Sequence, residues 1–368
     1  MTSERVISDS SNKVDQVRLE DFMGKIVNDL GATWSTVLVI IGDKLGLYKA
    51  MADSKPVTAA ELASRTRTTE RYTKEWLANQ AASGYIIYDS NTGKYTLPPE
   101  QAMALANENS PVFSLGGFQA AMAFFRDEPK ITEVFRTGKG VDWGDHDHNL
   151  YEGTGRFFKP NYVANIVSSW IPSLNGGSVD EKLKQGDAIV ADVGCGHAIS
   201  TMIMAKAYPK SKFVGFDYHE PSIEVARKRA KEEGLTEDRV TFEVASSTDF
   251  PTKDDGYDLV AFFDCLHDMG NPSGAASHVL KTLMPDGTWM IVEPFANDKV
   301  EDNLNPVGRI FYAASSLVCV PASLAYNGPA LGAQAGEHRI SQLVKAAGFN
   351  HFKRATQTPF NLIYEAKP

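Results

Sequence analysis

The stretch Ala188-Ile189-Val190-Ala191-Asp192-Val193-Gly194-Cys195-Gly196 decides how the rest of the chain is read. An apolar run of strand length enters a glycine turn, and a helical pattern follows from about Ile199. A second apolar strand, Phe213-Val214-Gly215-Phe216, ends in Asp217, about twenty residues further on. Strand, glycine turn and distant acid describe a nucleotide cradle. The glycines let backbone approach a ligand where a side chain would collide, and the acid accepts hydrogen bonds from ribose hydroxyls. A dinucleotide loop carries a third glycine three residues after its second. That position is Ile199, and an acid, Asp192, stands ahead of the turn instead.

Outward from this stretch, strand and helix patterns alternate to the end of the chain. Strands are expected to begin near Ala188, Lys212, Val240, Asp258, Thr288, His351 and Asn361. The alternation predicts an α/β fold, a Rossmann-like doubly wound seven-stranded sheet with helices on both faces. The short connection between the last two strands makes them a hairpin with one antiparallel strand.

The N-terminal part reads differently. A helical region runs from about 15 to 51, with Val17, Leu19, Phe22, Ile26 and Leu30 on one side. Thr58 and Glu61 form a capping-box pattern. Thr68 or Thr69 caps a further helix to about Ser83, with an apolar stripe of Tyr72, Trp76, Leu77 and Ala81. Tyr85–Tyr88 and Lys94–Leu97 flank a loop of turn formers, which predicts a hairpin. Three helices and a hairpin describe a winged helix. A helical zone from about 111 to 170 follows, and 172–178, rich in Gly, Ser and Asn, reads as a linker. The expected domains are therefore 1–110, 111–175 and 176–368.

Composition limits the function. The 368 residues are 43% hydrophobic and 23% charged, ordinary for a globular protein. A net charge of −9 argues against a general nucleic-acid binder. Cys195, Cys265 and Cys319 lack metal spacing and sit beside apolar sequence, so they are expected to be reduced thiols in a cytoplasmic protein. The N-terminus has no basic-then-apolar leader, and its first dozen residues are expected to be loosely held. The run Thr36–Ile41 is too short to cross a bilayer. Asp145-His146-Asp147-His148 could ligate a metal, but it reads as a polar loop without a matching cluster elsewhere, so no metal is expected.

The order Asp192-Val193-Gly194-Cys195-Gly196 followed by Asp217 resembles motif I and the ribose acid of the class I S-adenosylmethionine-dependent methyltransferases. Ala198 stands where that family has a further glycine. With the N-terminal winged helix, the chain resembles the small-molecule O-methyltransferases that dimerise through such a domain. Three further stretches carry the likeness: Asp258 to Met269, Gly287 to Pro294, and Glu337 to Phe349. The resemblance implies S-adenosylmethionine as cofactor, held by Asp192, Gly194, Gly196, Asp217, Tyr218, Ser246, Ser247 and Asp264. It implies His267 as the general base that takes a proton from an acceptor hydroxyl, with Glu293 and Glu337 as acids that orient the base or hold it against the acceptor. Phe157, Phe158, Tyr162 and Met269 are candidates for the acceptor pocket; the family commonly has Trp at the position of Met269. The expected partners are a small-molecule acceptor and a second copy of the chain, with neither nucleic acid nor membrane.

Each residue has a plainer role beside the functional one. Asp192 could cap the glycine loop, His267 the following helix, Asp264 could end a strand, and the aromatic residues could be core. Competing functions are a winged-helix DNA-binding regulator, a cofactor-binding protein without catalysis, a nucleotide fold using another cofactor, and a nitrogen- or carbon-directed methyltransferase without a histidine base.

Overall fold

The computed structural model describes residues 14–253 and 255–368, in two compact units that divide between Glu108 and Asn109. The loosely held first dozen residues expected from sequence lie outside the described residues.

The first unit contains α1 (Gln16–Lys44), α2 (Ala59–Thr66), α3 (Glu70–Ala82), the hairpin β1 (Ile87–Asp89) and β2 (Lys94–Thr96), and α4 (Pro99–Leu105). The Thr58–Glu61 capping box starts α2 as its sequence dictates, each residue accepting the other's backbone N–H. Trp76 packs edge-on against Tyr48 and donates its indole N–H to the Leu38 carbonyl at 2.8 Å. One apolar expectation is corrected. Tyr72 is 80% exposed and is not part of the α3 core stripe. The α1 stripe through Val17, Leu19, Phe22 and Leu30 is exposed, and Ser35, Val39, Ile40 and Gly42 are the buried residues of this helix.

The second unit opens with α5 (Leu115–Thr137) and α6 (Asn149–Asn165), packed so closely that a Cβ on Gly153 would lie 2.3 Å from the Ala120 nitrogen. A π turn (Ile166–Trp170) leads into the short α7 (Ile171–Ser173), a 3₁₀ turn (Leu174–Gly177) and α8 (Ser178–Gln185). The stretch read as a linker is therefore helical and integrated: Ile171 and Leu174 are fully buried, and the Asn175 N–H donates to Glu365 at 2.6 Å.

The sheet then follows as β3 (Ile189–Val193), α9 (Ile199–Ala207), β4 (Lys212–Asp217), α10 (Glu220–Glu232), β5 (Val240–Val244), β6 (Tyr257–Phe263), α11 (Pro272–Thr282) and β7 (Leu283–Pro294). After these come α12 (Pro306–Ala314), α13 (Val320–Ala325), α14 (Gly336–Ala346), β8 (His351–Gln357) and β9 (Asn361–Lys367). Strand order is β5-β4-β3-β6-β7-β9-β8, and only β9 runs antiparallel to its neighbours. Alternate residues of β3 and β6 feed two cores, one on each face, which hold the fully buried Trp170 and Trp289. Each large side chain so buried contributes about 2 kcal/mol from apolar area alone.

One apolar stretch is longer than the sequence pattern suggested. Helical residues Pro306–Ala325 are long and apolar enough to cross a membrane by composition. In the fold, Phe311, Val318 and Cys319 of this stretch pack with Ala123 and Leu150 of α5 and α6.

Candidate functional site

In an open sheet of this order, ligands sit beyond the carboxyl ends of the strands where the order reverses, here between β3 and β6. A cavity of about 530 Å³ opens there. The loop after β3 forms its floor. Gly194 (φ +76°) and Gly196 (φ +50°) have left-handed conformations that favour glycine. A Cβ on Gly194 would meet the Cys265 sulfur at 2.8 Å, whereas one on Gly196 would meet nothing within 4 Å. Ala198 takes the same left-handed conformation (φ +61°) that a glycine would take without strain.

Asp217, at the end of β4, ties this loop down. One carboxylate oxygen accepts from the Gly196 N–H and the other from the His219 N–H, each at 2.9 Å. Burial raises its pKa, against the pull of these bonds. Tyr218, Ser246, Ser247 and Thr248 continue the wall, and Tyr218 meets Tyr326 edge-on at 6.1 Å. Across the cavity, Asp264 has φ +52° and accepts from the Tyr162 hydroxyl at 2.6 Å and from Asn361 at 2.8 Å. Burial pushes its carboxyl up to about 7, against these two donors. Phe158, Tyr162, Asp268 and Met269 are also on the wall. Among the described residues, three carboxylates line the cavity, together with His197, and neither lysine nor arginine does.

Gly194, Gly196, Asp217, Tyr218, Ser246, Ser247, Asp264, Phe158, Tyr162 and Met269 thus meet in one cavity, and five expected residues stand off its wall. Asp192 is buried behind the loop, where Ser200 and Thr201 each donate to the same carboxylate oxygen at 2.6 Å. It joins the loop to the start of α9; burial raises its carboxyl to about 6, with these hydroxyls opposing. Phe157 turns away to pack on Phe158 and Phe360. Glu337 is taken by Arg354 of β8, at the surface, and not by His267.

His267 and Glu293 do come together. His267 Nδ1 lies 2.8 Å from Glu293 Oε2, and both side chains are buried. Cys319, which closes a π turn (Ser315–Cys319), interacts with the same imidazole. Burial disfavours the imidazolium, yet the Glu293 carboxylate and Cys319 outweigh it and hold the His267 pKa well above its usual value. The other Glu293 oxygen is buried without a partner. Sequence reasoning gave no site role to Trp143, Tyr151, Asp268 or Tyr326, all on the cavity wall. The Asp145–His148 run is committed locally: His146 pairs with Asp127 at 2.9 Å, and Asp147 pairs with Arg126 at 2.8 Å. Among the described residues, no group of three or more His, Cys, Asp or Glu could hold a metal ion.

The seven-stranded order and the glycine floor at the β3–β6 crevice define the fold of the S-adenosylmethionine-dependent methyltransferases. Residues 184–346 match the family model "Methyltransferase domain", and residues 33–107 match "Rv2258c-like winged HTH domain", so the chain carries a methyltransferase domain after an N-terminal winged helix-turn-helix domain. A curated relative, 27-O-demethylrifamycin SV methyltransferase of Amycolatopsis mediterranei, is 30% identical over 181 residues, which is 48% of this chain and 60% of the relative. The chain spans between 36% and 64% of the length of the curated relatives it matches. Human N-acetylserotonin methyltransferase, solved with S-adenosylmethionine, superposes with a TM-score of 0.63 at 18% identity, over 97% of this chain and 99% of that one. The mitomycin 7-O-methyltransferase MmcR superposes with a TM-score of 0.66 at 15% identity, over 96% of this chain and 100% of that one.

Proposed function

We propose that the chain is an S-adenosylmethionine-dependent methyltransferase acting on a hydroxyl of a small molecule. The observation that carries this reading is the charge of the cavity wall: among the described residues, Asp217, Asp264 and Asp268 line it without a lysine or arginine. Such a wall disfavours the diphosphate of a dinucleotide and favours a cation. The residues fit the donor in other respects too. The open face above Gly196 leaves room for backbone to approach a ligand, Asp217 stands at the ribose position, and Tyr218 and the serines after β5 offer an adenine wall.

When bound, the cofactor supplies a sulfonium-activated methyl group. The chain's residues bind the acceptor, orient it and move its proton. His267 takes that proton, and Glu293 on Nδ1 fixes the ring and stabilises the imidazolium that forms. The partnerless Glu293 oxygen leaves this pair able to accept a further hydrogen bond. Calorimetric titration tests the reading: S-adenosylmethionine and S-adenosylhomocysteine bind and a nicotinamide dinucleotide does not.

The exposed face of α1 supports a second copy of the chain as partner. Val17, Phe22, Val27, Leu30 and Trp34 are each between 47% and 72% exposed, more apolar surface than an isolated helix leaves in water. Light scattering at micromolar concentration is expected to give twice the chain mass, and a monomer there would refute the dimer. Three free thiols fit a reducing, cytoplasmic setting.

A further inference from the structure

We propose that Asp268 faces the donor's positively charged sulfur, and so makes the cavity prefer the charged donor over its neutral demethylated product. This deepens the functional reading above and rests on it.

Asp268 lies on the cavity wall in the turn that carries His267, and its carboxylate accepts from its own backbone N–H, whereas both oxygens of Asp264 accept from other residues, Tyr162 and Asn361. Its electrical surroundings place it. His267, Glu293 and Asp217 all act electrostatically on it, and it acts in turn on Tyr218 and Cys265. Asp268 thus shares the cavity wall with Asp217, the acid assigned to the ribose, and lies within electrostatic reach of both that acid and the pair assigned to the acceptor's proton. In S-adenosylmethionine the sulfur is one carbon from the ribose, and its methyl points towards the acceptor. The space between ribose acid and base is therefore where the sulfonium must lie.

The chemistry gives this carboxylate a purpose. Donor and product carry the same adenosine and the same amino-acid group and differ in one methyl and one positive charge. A carboxylate at the sulfur acts on that difference, attracting the donor and leaving the product with an uncompensated buried anion. Burial, partly offset by His267, pushes the Asp268 carboxyl up to about 7 in the empty cavity. Cation binding favours the ionised form, so donor affinity rises with pH through this range and product affinity does not.

The test is titration calorimetry of the full chain with S-adenosylmethionine and with S-adenosylhomocysteine. In the wild type, the donor-to-product affinity ratio is expected to rise from pH 6 to pH 8 by up to about tenfold. Asp268→Asn is expected to cut donor affinity by about tenfold or more while leaving product affinity nearly unchanged, and to flatten the pH dependence. Asp264→Asn should leave the pH dependence of the ratio in place. A ratio that is flat with pH in the wild type, or that Asp268→Asn leaves intact, overturns the proposal. If Asp268→Asn does not fold, the wild-type profile decides. A wild type that binds neither molecule removes the functional reading itself, and this inference with it.

Discussion

Replacing His267 by alanine is expected to slow methyl transfer by about a hundredfold or more, with binding of S-adenosylmethionine nearly unchanged. The asymmetry follows from position. His267 is absent from the wall that would hold the donor, and its Nδ1 is spent on Glu293. The contribution proposed for it lies in the proton: a hydroxyl that keeps its proton attacks a methyl group poorly, and a positioned base removes that barrier. Glu293→Gln adds a sign. The carboxylate helps to hold the imidazole pKa above its usual value, so the glutamine should lower it. The base must be neutral to act, so the acid limb of the rate profile moves to lower pH as the maximal rate falls. Turnover in His267→Ala equal to the wild type removes the histidine from the mechanism and favours a nitrogen or carbon acceptor that needs no such base.

Replacing Asp217 by alanine should act on the other quantity. The substitution removes the acid proposed to hold the ribose and also frees the Gly196 and His219 amides that its carboxylate holds. Donor affinity is expected to fall by about a hundredfold, near 3 kcal/mol, as buried charge-assisted hydrogen bonds are lost. Folding stability should change little by comparison, because burial disfavours this carboxylate's charge in the empty cavity. Calorimetry read beside a thermal melt separates the two effects. Wild-type affinity with an unchanged melt would show that Asp217 does not touch the ligand.

The parts of the fold most legible in sequence were those set by local rules. The apolar run before Gly194 could only be a buried strand, and Asp217 stands a strand and a helix later, at the same edge of the sheet. The capping box at Thr58 needs only residues three apart. Legibility ended where a side chain's direction or partner is decided by distant packing. Phe157 and Phe158 are consecutive on a helix, so about 100° of rotation separates them and they face different neighbours. Glu337 looked available to the base, but Arg354, on a strand that follows its helix, claims it. Asp192 has the spacing of a ligand residue, yet the hydroxyls at the start of α9 close over it. The glycines of 172–178 suggested a linker because their composition conceals the burial of Leu174 between them and Ile171. In the sequence the neighbouring histidine accounts for the motif at Asp268; the place of Asp268 on the cavity wall is what singles it out.

The central claim is that this acidic cavity was built for a sulfonium donor. Calorimetric titration of the unmodified chain tests it most directly, with S-adenosylmethionine, S-adenosylhomocysteine, a nicotinamide dinucleotide and a flavin dinucleotide offered separately. Saturable binding of the first two, near one per chain, with no heat from the dinucleotides is the predicted result. Silence towards the first two at millimolar concentration, with uptake of either dinucleotide, would contradict it.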